Sequence, residues 1–172
     1  MRHTVSVLVE NKFGVLARIA GLFSGRGFNI DSLSVGETED PTISRITLVV
    51  KGEDFIIEQI MKQLNKLIDI IKVSDLTKDE FIDRELALIK VDADTKTRSE
   101  IMQIVDIFRG KILDVAPTAL TIEVTGPEEK VQGMIELLGG FGIREVVRSG
   151  KIAISREDKA VSLRKKINST KK

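Results

Sequence analysis

Residues 8–35 read LVENKFGVLARIAGLFSGRGFNIDSLSV, and the order of elements in this stretch decides the fold. It holds the end of an apolar strand, a polar turn closed by Gly14, an amphipathic helix, a Gly-rich turn, and a second strand opening with Asn29, Ile30 and Asp31. Upstream, residues 3–9 set Val5, Val7 and Val9 on one face and Ser6 and Leu8 on the other, the period of a strand. The turn Glu10-Asn11-Lys12-Phe13-Gly14 contains an Asn and a Gly, residue types that tolerate left-handed or tight backbone. From Val15, apolar residues recur at Leu16, Ile19, Ala20 and Phe23, and Gly25 and Gly27 stand where that helix should stop.

Downstream, Ile30, Leu33 and Val35 make a less regular strand, and Glu39-Asp40-Pro41 turns it into a hairpin partner over Ile43–Lys51. Gly52-Glu53-Asp54 offers a turn and a helix cap. Ile57, Ile60, Met61, Leu64 and Leu67 or Ile68 then form a long 3,4-spaced helical stripe. With a fourth strand over Ile70–Leu76 the order is βαββαβ, the split βαβ unit whose helices cover one face of an antiparallel sheet. The pattern then restarts. Leu86–Val91, a stripe of Ile101, Ile104, Val105 and Phe108, a hairpin across Pro117, a helix opened by Gly126-Pro127-Glu128-Glu129, and Ile143–Val147 repeat the same order. The expected fold is therefore α+β, two ferredoxin-like βαββαβ units in tandem. Residues 1–77 form the first, 78–83 a polar linker, 84–156 the second with a short extra strand over Lys151–Ser155, and 157–172 a basic, mobile tail or frayed helix.

Composition narrows the function. The 172 residues carry 27 basic and 26 acidic groups, a formal net charge of +1, so no global field draws nucleic acid or a membrane surface. No segment approaches the ~20 apolar residues of a membrane span, and the apolar run before Glu10 is too short for a signal peptide. The absence of cysteine suits a reducing cytoplasm, the expected location. A single histidine, His3, and no cysteine leave little for a metal centre or for Ser-His or Cys-His catalysis. His3 opens a strand and reads as a surface residue. The stretch GLFSGRG at residues 21–27 follows a helix, so it is not a phosphate loop. With no Tyr or Trp and most of the seven Phe in helices or turns, an RNA-stacking sheet is not expected. No catalytic residue and no metal ligand is assigned.

What remains is the loop from Asn11 to Leu16 and the start of the strand at Asn29. If both lie at one end of a sheet, the amides near Gly14, Val15 and Leu16, at a helix N-terminus, can hold a carboxylate, with Gly14 allowing close approach. Asn11 and Asn29 can bind an ammonium through their side-chain oxygens, and Ile30 with neighbouring valines offers a small apolar wall. The simpler alternative is that Gly14 only shapes a turn and Asn29 only begins a strand. The second repeat's first turn, Ala93-Asp94-Thr95-Lys96-Thr97, lacks both Asn and Gly, so one fold used twice would carry one ligand site.

Glu10-Asn11, Gly14-Val15-Leu16, Gly21-Leu22-Phe23, Arg26-Gly27, Asn29-Ile30 and Ser32-Leu33 together resemble the ACT domain of the acetolactate synthase (acetohydroxyacid synthase) small, regulatory subunit. Asp40-Pro41-Thr42 with Ser44-Arg45, residues 59–67 (QIMKQLNKL), Arg84-Glu85-Leu86, Ile107-Phe108-Arg109-Gly110 with Asp114-Val115, and Arg148-Ser149-Gly150 with Ser155-Arg156 extend the likeness from Arg2 to Arg156.

The resemblance implies a non-catalytic subunit that activates a thiamine-diphosphate-dependent large subunit, a transferase of valine, leucine and isoleucine synthesis. It implies a homodimer through ACT domains and feedback inhibition by valine, held between two such domains by Asn11 and Gly14 of one loop and Asn29 and Ile30 of the facing strand. Thiamine diphosphate, magnesium and FAD are expected on the large catalytic subunit and none on this chain. Two rivals stay open: a free-standing amino-acid sensor without an enzyme partner, and a purely structural dimerisation module.

Overall fold

The structure is a computed structural model and describes residues 1–156; the basic tail expected over 157–172 lies outside the described residues. The chain divides into two compact units, one of residues 83–151, the other of residues 1–82 joined by the strand Ile152–Ser155.

In the first unit β1 (Arg2–Glu10), α1 (Val15–Ser24), β2 (Ile30–Glu37), β3 (Ile43–Lys51), α2 (Asp54–Leu64) and β4 (Ile70–Asp75) follow one another in the expected order. The sheet order is β2-β3-β1-β4 with every neighbouring pair antiparallel. Alternation on β1 and β3 sends Val5, Val7, Val9, Ile46, Leu48 and Val50 to one face. There they meet Val15, Ile19 and Phe23 of α1 and Ile57, Ile60 and Leu64 of α2. Phe23 is wholly buried in this core, where truncation to Ala typically costs about 3–5 kcal/mol. α2 ends at Leu64, short of the sequence stripe, and Ile68 beyond it is solvent-exposed.

A 3-10 turn (Leu76–Lys78) leads into β5 (Phe81–Asp92), so the last three residues of the expected 78–83 linker are strand. Strand burial alternates there even though polar residues stand on both faces: from Phe81 to Glu85 half-buried or buried residues alternate with exposed Ile82 and Arg84. The second unit continues with α3 (Arg98–Ile107), β6 (Lys111–Ala116), β7 (Ala119–Gly126), α4 (Glu128–Gly139) and β8 (Ile143–Arg148), in the order β6-β7-β5-β8. Ala87, Ile89, Val91, Leu120, Ile122 and Val124 pack there against Ile101, Val105, Val131, Met134 and Leu138. Pro127 caps α4 instead of entering its first turn, which holds Glu128 and Glu129. The last strand, β9 (Ile152–Ser155), pairs with β5 and groups with the first compact unit. The amide of Arg156 donates to the Glu80 carbonyl at 2.9 Å, fixing the end of this segment next to the start of β5.

Candidate functional site

The loop between β1 and α1 turns at Gly14, whose φ of 80° and ψ of −7° lie in the left-handed region. A Cβ at Gly14 would meet nothing within 4 Å, so glycine is demanded by backbone conformation and not by crowding. Gly14 is the N-cap of α1, and without a side chain it leaves the first amides of the helix uncapped. The Val15 amide reaches only a long 3.5 Å contact to the Lys12 carbonyl, and the first full helical bond runs from the Arg18 amide to the Gly14 carbonyl at 2.9 Å. The side chain of Val15 is 4% exposed and belongs to the core, so only its backbone is available; Leu16 is 41% exposed.

Asn11 is held by the β2–β3 hairpin. Its amide donates to the Thr42 carbonyl at 2.7 Å, and its Nδ2 donates to Glu37 Oε1 at 3.1 Å and to the Pro41 carbonyl at 2.9 Å. These bonds use the donors of the carboxamide and turn Oδ1 into the group left to accept. Glu37 and Phe13 were not singled out from the sequence. Glu37 orients Asn11, and Phe13, fully exposed beside Gly14, is an aromatic in an otherwise polar turn, which is the signal that marks it. Lys12 pairs with Glu10 at 2.5 Å, and this hydrogen bond and charge hold its ammonium above the ordinary lysine range. On the next turn of α1 Arg18 pairs with Asp69 at 2.8 Å.

Asn29 and Ile30 are elsewhere. Ile30 lies opposite Val50 of β3, which lies opposite His3 at the start of β1, whereas Glu37 lies opposite Ser44, itself opposite Val9 at the end of β1. β1 and β2 thus run parallel on either side of β3, and the length of β2, roughly 20 Å at ~3.3 Å per residue, separates Asn29 from the Gly14 bend. The convergence of the two at one end of one sheet, expected from the sequence, does not occur within a chain. Asn29 Nδ2 donates to Asp31 Oδ1 at 3.3 Å.

The corresponding loop of the second unit is already filled. Asp94 Oδ1 accepts the amides of Lys96 and Thr97, both at 2.8 Å, and the Thr97 hydroxyl at 2.9 Å. The Thr97 amide first, then its hydroxyl and the Lys96 amide, hold this carboxyl below the usual aspartate range. An internal carboxylate closes this turn, whereas the first unit's turn ends on a bare glycine at the helix N-cap.

His3 is 2% exposed, not a surface residue. It stands on a central strand under the first residue of α2, with Nε2 3.4 Å from Asp54 Oδ1 and Nδ1 3.6 Å from Asp75 Oδ2. Among the described residues no group of three His, Asp or Glu side chains is placed to share a metal ion. Two shallow clefts are clear of the Gly14 bend. One, of about 730 Å³, is lined by Arg26, Gln59, Lys62, Gln63, Asn65 and Lys66. The other, of about 360 Å³, is lined by Ile107, Phe108, Arg109 and Lys130.

Arg109 is the one described non-glycine residue with positive φ, at 51°. The Gly110 amide bonds to the Val105 carbonyl at 2.8 Å and the Arg109 amide to the Asp106 carbonyl at 2.9 Å, the Schellman closure of α3, with Arg109 at the position glycine usually takes. The left-handed cost, about 1–2 kcal/mol, exceeds the ~0.3–1 kcal/mol that a cation gains at a helix C-terminus.

Residues 5–72 match the model of the AHAS small subunit-like ACT domain, and residues 84–157 match that of the small subunit of acetolactate synthase. The acetolactate synthase small subunit of Aquifex aeolicus is 55% identical over 157 residues, 91% of this chain and 82% of that one. This chain belongs to the acetolactate synthase small subunit family. The family's small subunit from Mycolicibacterium smegmatis is 52% identical over 163 residues, 95% of this chain and 96% of that one. The crystal structure of the small subunit from Thermotoga maritima superposes with a TM-score of 0.83 at 46% identity, covering 92% of this chain and 99% of that one. The first βαββαβ unit is accordingly an ACT domain, and the tandem arrangement read from the sequence is that of the family.

Proposed function

We propose that this chain is the regulatory subunit of acetolactate synthase, activating the large catalytic subunit and making it sensitive to valine. Thiamine diphosphate, magnesium and FAD would be bound by that partner. The observation that carries the effector site is the uncapped start of α1 behind a left-handed Gly14. It offers amides and the positive end of a helix to a carboxylate, while Asn11 presents Oδ1 to an ammonium.

Because Asn29 and Ile30 stand at the far end of the sheet, a site that uses them together with Gly14 takes them from a second copy. The chain is suited to that. β2, 8 residues long, stands at one end of the sheet order, and Leu33 and Val35 on it are exposed, so its pairing with another β2 would extend the sheet and cover apolar surface. A two-fold axis across antiparallel β2 edges carries the Asn29 end of one copy to the Gly14 end of the other.

Valine then acts as a clamp between two ACT domains. Its differential affinity for the two arrangements of the holoenzyme supplies the coupling, typically ~1–3 kcal/mol. Calorimetric titration of the full chain with valine, leucine and isoleucine, alongside activity of the catalytic subunit with and without this chain, tests the proposal. The expected results are saturable valine binding, activation by the chain, and inhibition by valine only in its presence. Activation without any amino-acid binding would remove the effector site from the reading.

A further inference from the structure

We infer that the turn closing α3, Ile107-Phe108-Arg109, is where this chain docks an anionic, apolar-tipped segment of the large catalytic subunit; the inference rests on the regulatory-subunit reading and adds the place of contact. Three observations meet there. Ile107 is 76% exposed at the rim of the 360 Å³ cleft, while its neighbour Phe108 is anchored, ring atoms lying 3.6 and 3.8 Å from where a Cβ on Gly133 would be. The cleft therefore has a fixed aromatic floor and an open aliphatic rim, the form of a pocket for one apolar side chain. Two cations, Arg109 and Lys130, line it and no carboxylate does; Lys130 donates only to the Thr125 carbonyl, at 2.9 Å. Arg109 moreover occupies a backbone conformation that glycine would relieve, while Gly110 cannot trade places with it, because a Cβ at Gly110 would lie 3.0 Å from the Glu123 carbonyl oxygen. Folding alone gives no reason for arginine at this position. A carboxylate on a partner does, through a charge-assisted, bidentate contact beside a desolvated apolar anchor.

The charge pattern selects among occupants. A second copy meeting this surface about a two-fold axis would set Arg109 and Lys130 against the same cations, whereas a catalytic subunit presenting acids around an apolar tip is complementary.

The test measures the affinity of the full chain for its own purified catalytic subunit, with valine binding and melting temperature recorded for each variant. Arg109→Gly should keep or raise the melting temperature, leave valine binding unchanged, and weaken the complex at least about tenfold. Ile107→Glu, at an exposed position, should weaken it comparably, and Arg109→Lys should retain more affinity than Arg109→Gly. Wild-type affinity in Arg109→Gly and Ile107→Glu overturns the docking point alone. A wild-type chain that does not bind the catalytic subunit overturns the regulatory-subunit reading and this contact with it.

Discussion

Gly14 and Asn29 stand at opposite ends of the first sheet, the one following the end of β1 and the other preceding the start of a parallel β2. A single crossover helix links them and must carry the chain back along the full length of the strands, so no adjustment of loops within one chain brings them together. Whatever ligand uses both is held by two copies. The proposed feedback site would then also be a dimer contact, which would give an amino acid direct leverage over quaternary structure.

Gly14 separates stability from binding. Gly14→Ala adds a Cβ into open space but at φ 80°, so its cost is backbone strain of about 1–2 kcal/mol, read as a fall of a few degrees in melting temperature. Gly14→Asp, a residue type more tolerant of left-handed backbone, should lose less stability. It puts a carboxylate where the effector's should sit, so activity assays should show full activation of the catalytic subunit with no valine inhibition.

Asn11→Ala removes both side-chain ties to the β2–β3 hairpin, the bonds to Glu37 and Pro41. Amide exchange at residues 38–43 should quicken, and valine should bind about tenfold more weakly, equivalent to ~1.4 kcal/mol. Unchanged exchange with weakened binding would assign Asn11 to the ligand alone.

Gly110→Ala contrasts with Arg109→Gly one residue away. The added Cβ would stand 3.0 Å from the Glu123 carbonyl and 3.2 Å from Val105 Cγ1, so overpacking of about 1–3 kcal/mol is expected in urea denaturation.

Lys151 governs stability in alkali. Burial alone would lower its pKa, but hydrogen bonds and charge from Asp83 and Glu128, each 3.1 Å from Nζ, outweigh that and raise it. A raised lysine pKa contributes stability that is complete below the unfolded value, ~10.4, and is lost as pH climbs through the higher folded value. The urea midpoint should therefore drop between about pH 10 and pH 12. Lys151→Met should be less stable near neutrality by about 1–3 kcal/mol and show less of that drop.

Much of the fold was open to reading because its signals are local. Val5, Val7 and Val9 fix the buried face of β1, Ile57, Ile60 and Leu64 that of α2, and Gly25 the end of α1. The conformation of Gly14 followed from residue type. The position of Asn29 relative to it did not, because that depends on strand order and direction, which no residue near either one encodes. His3 misled for a related reason: one polar residue at a strand start looks terminal until α2 and β4 are laid over it. The 78–83 stretch reads as a linker because four of its six residues are charged, yet strand burial alternates through its last three. Arg109 is the reverse case, a residue whose type gave no warning of positive φ.

The most direct test of a site shared between two copies mixes two defective chains. Gly14→Asp and Asn29→Ala homodimers should each fail to bind valine. A purified heterodimer, tagged differently on its two chains, should regain one site per dimer by calorimetry, built from the intact loop of one chain and the intact Asn29 of the other. A heterodimer that binds no valine, while the wild-type dimer does, contradicts the shared site.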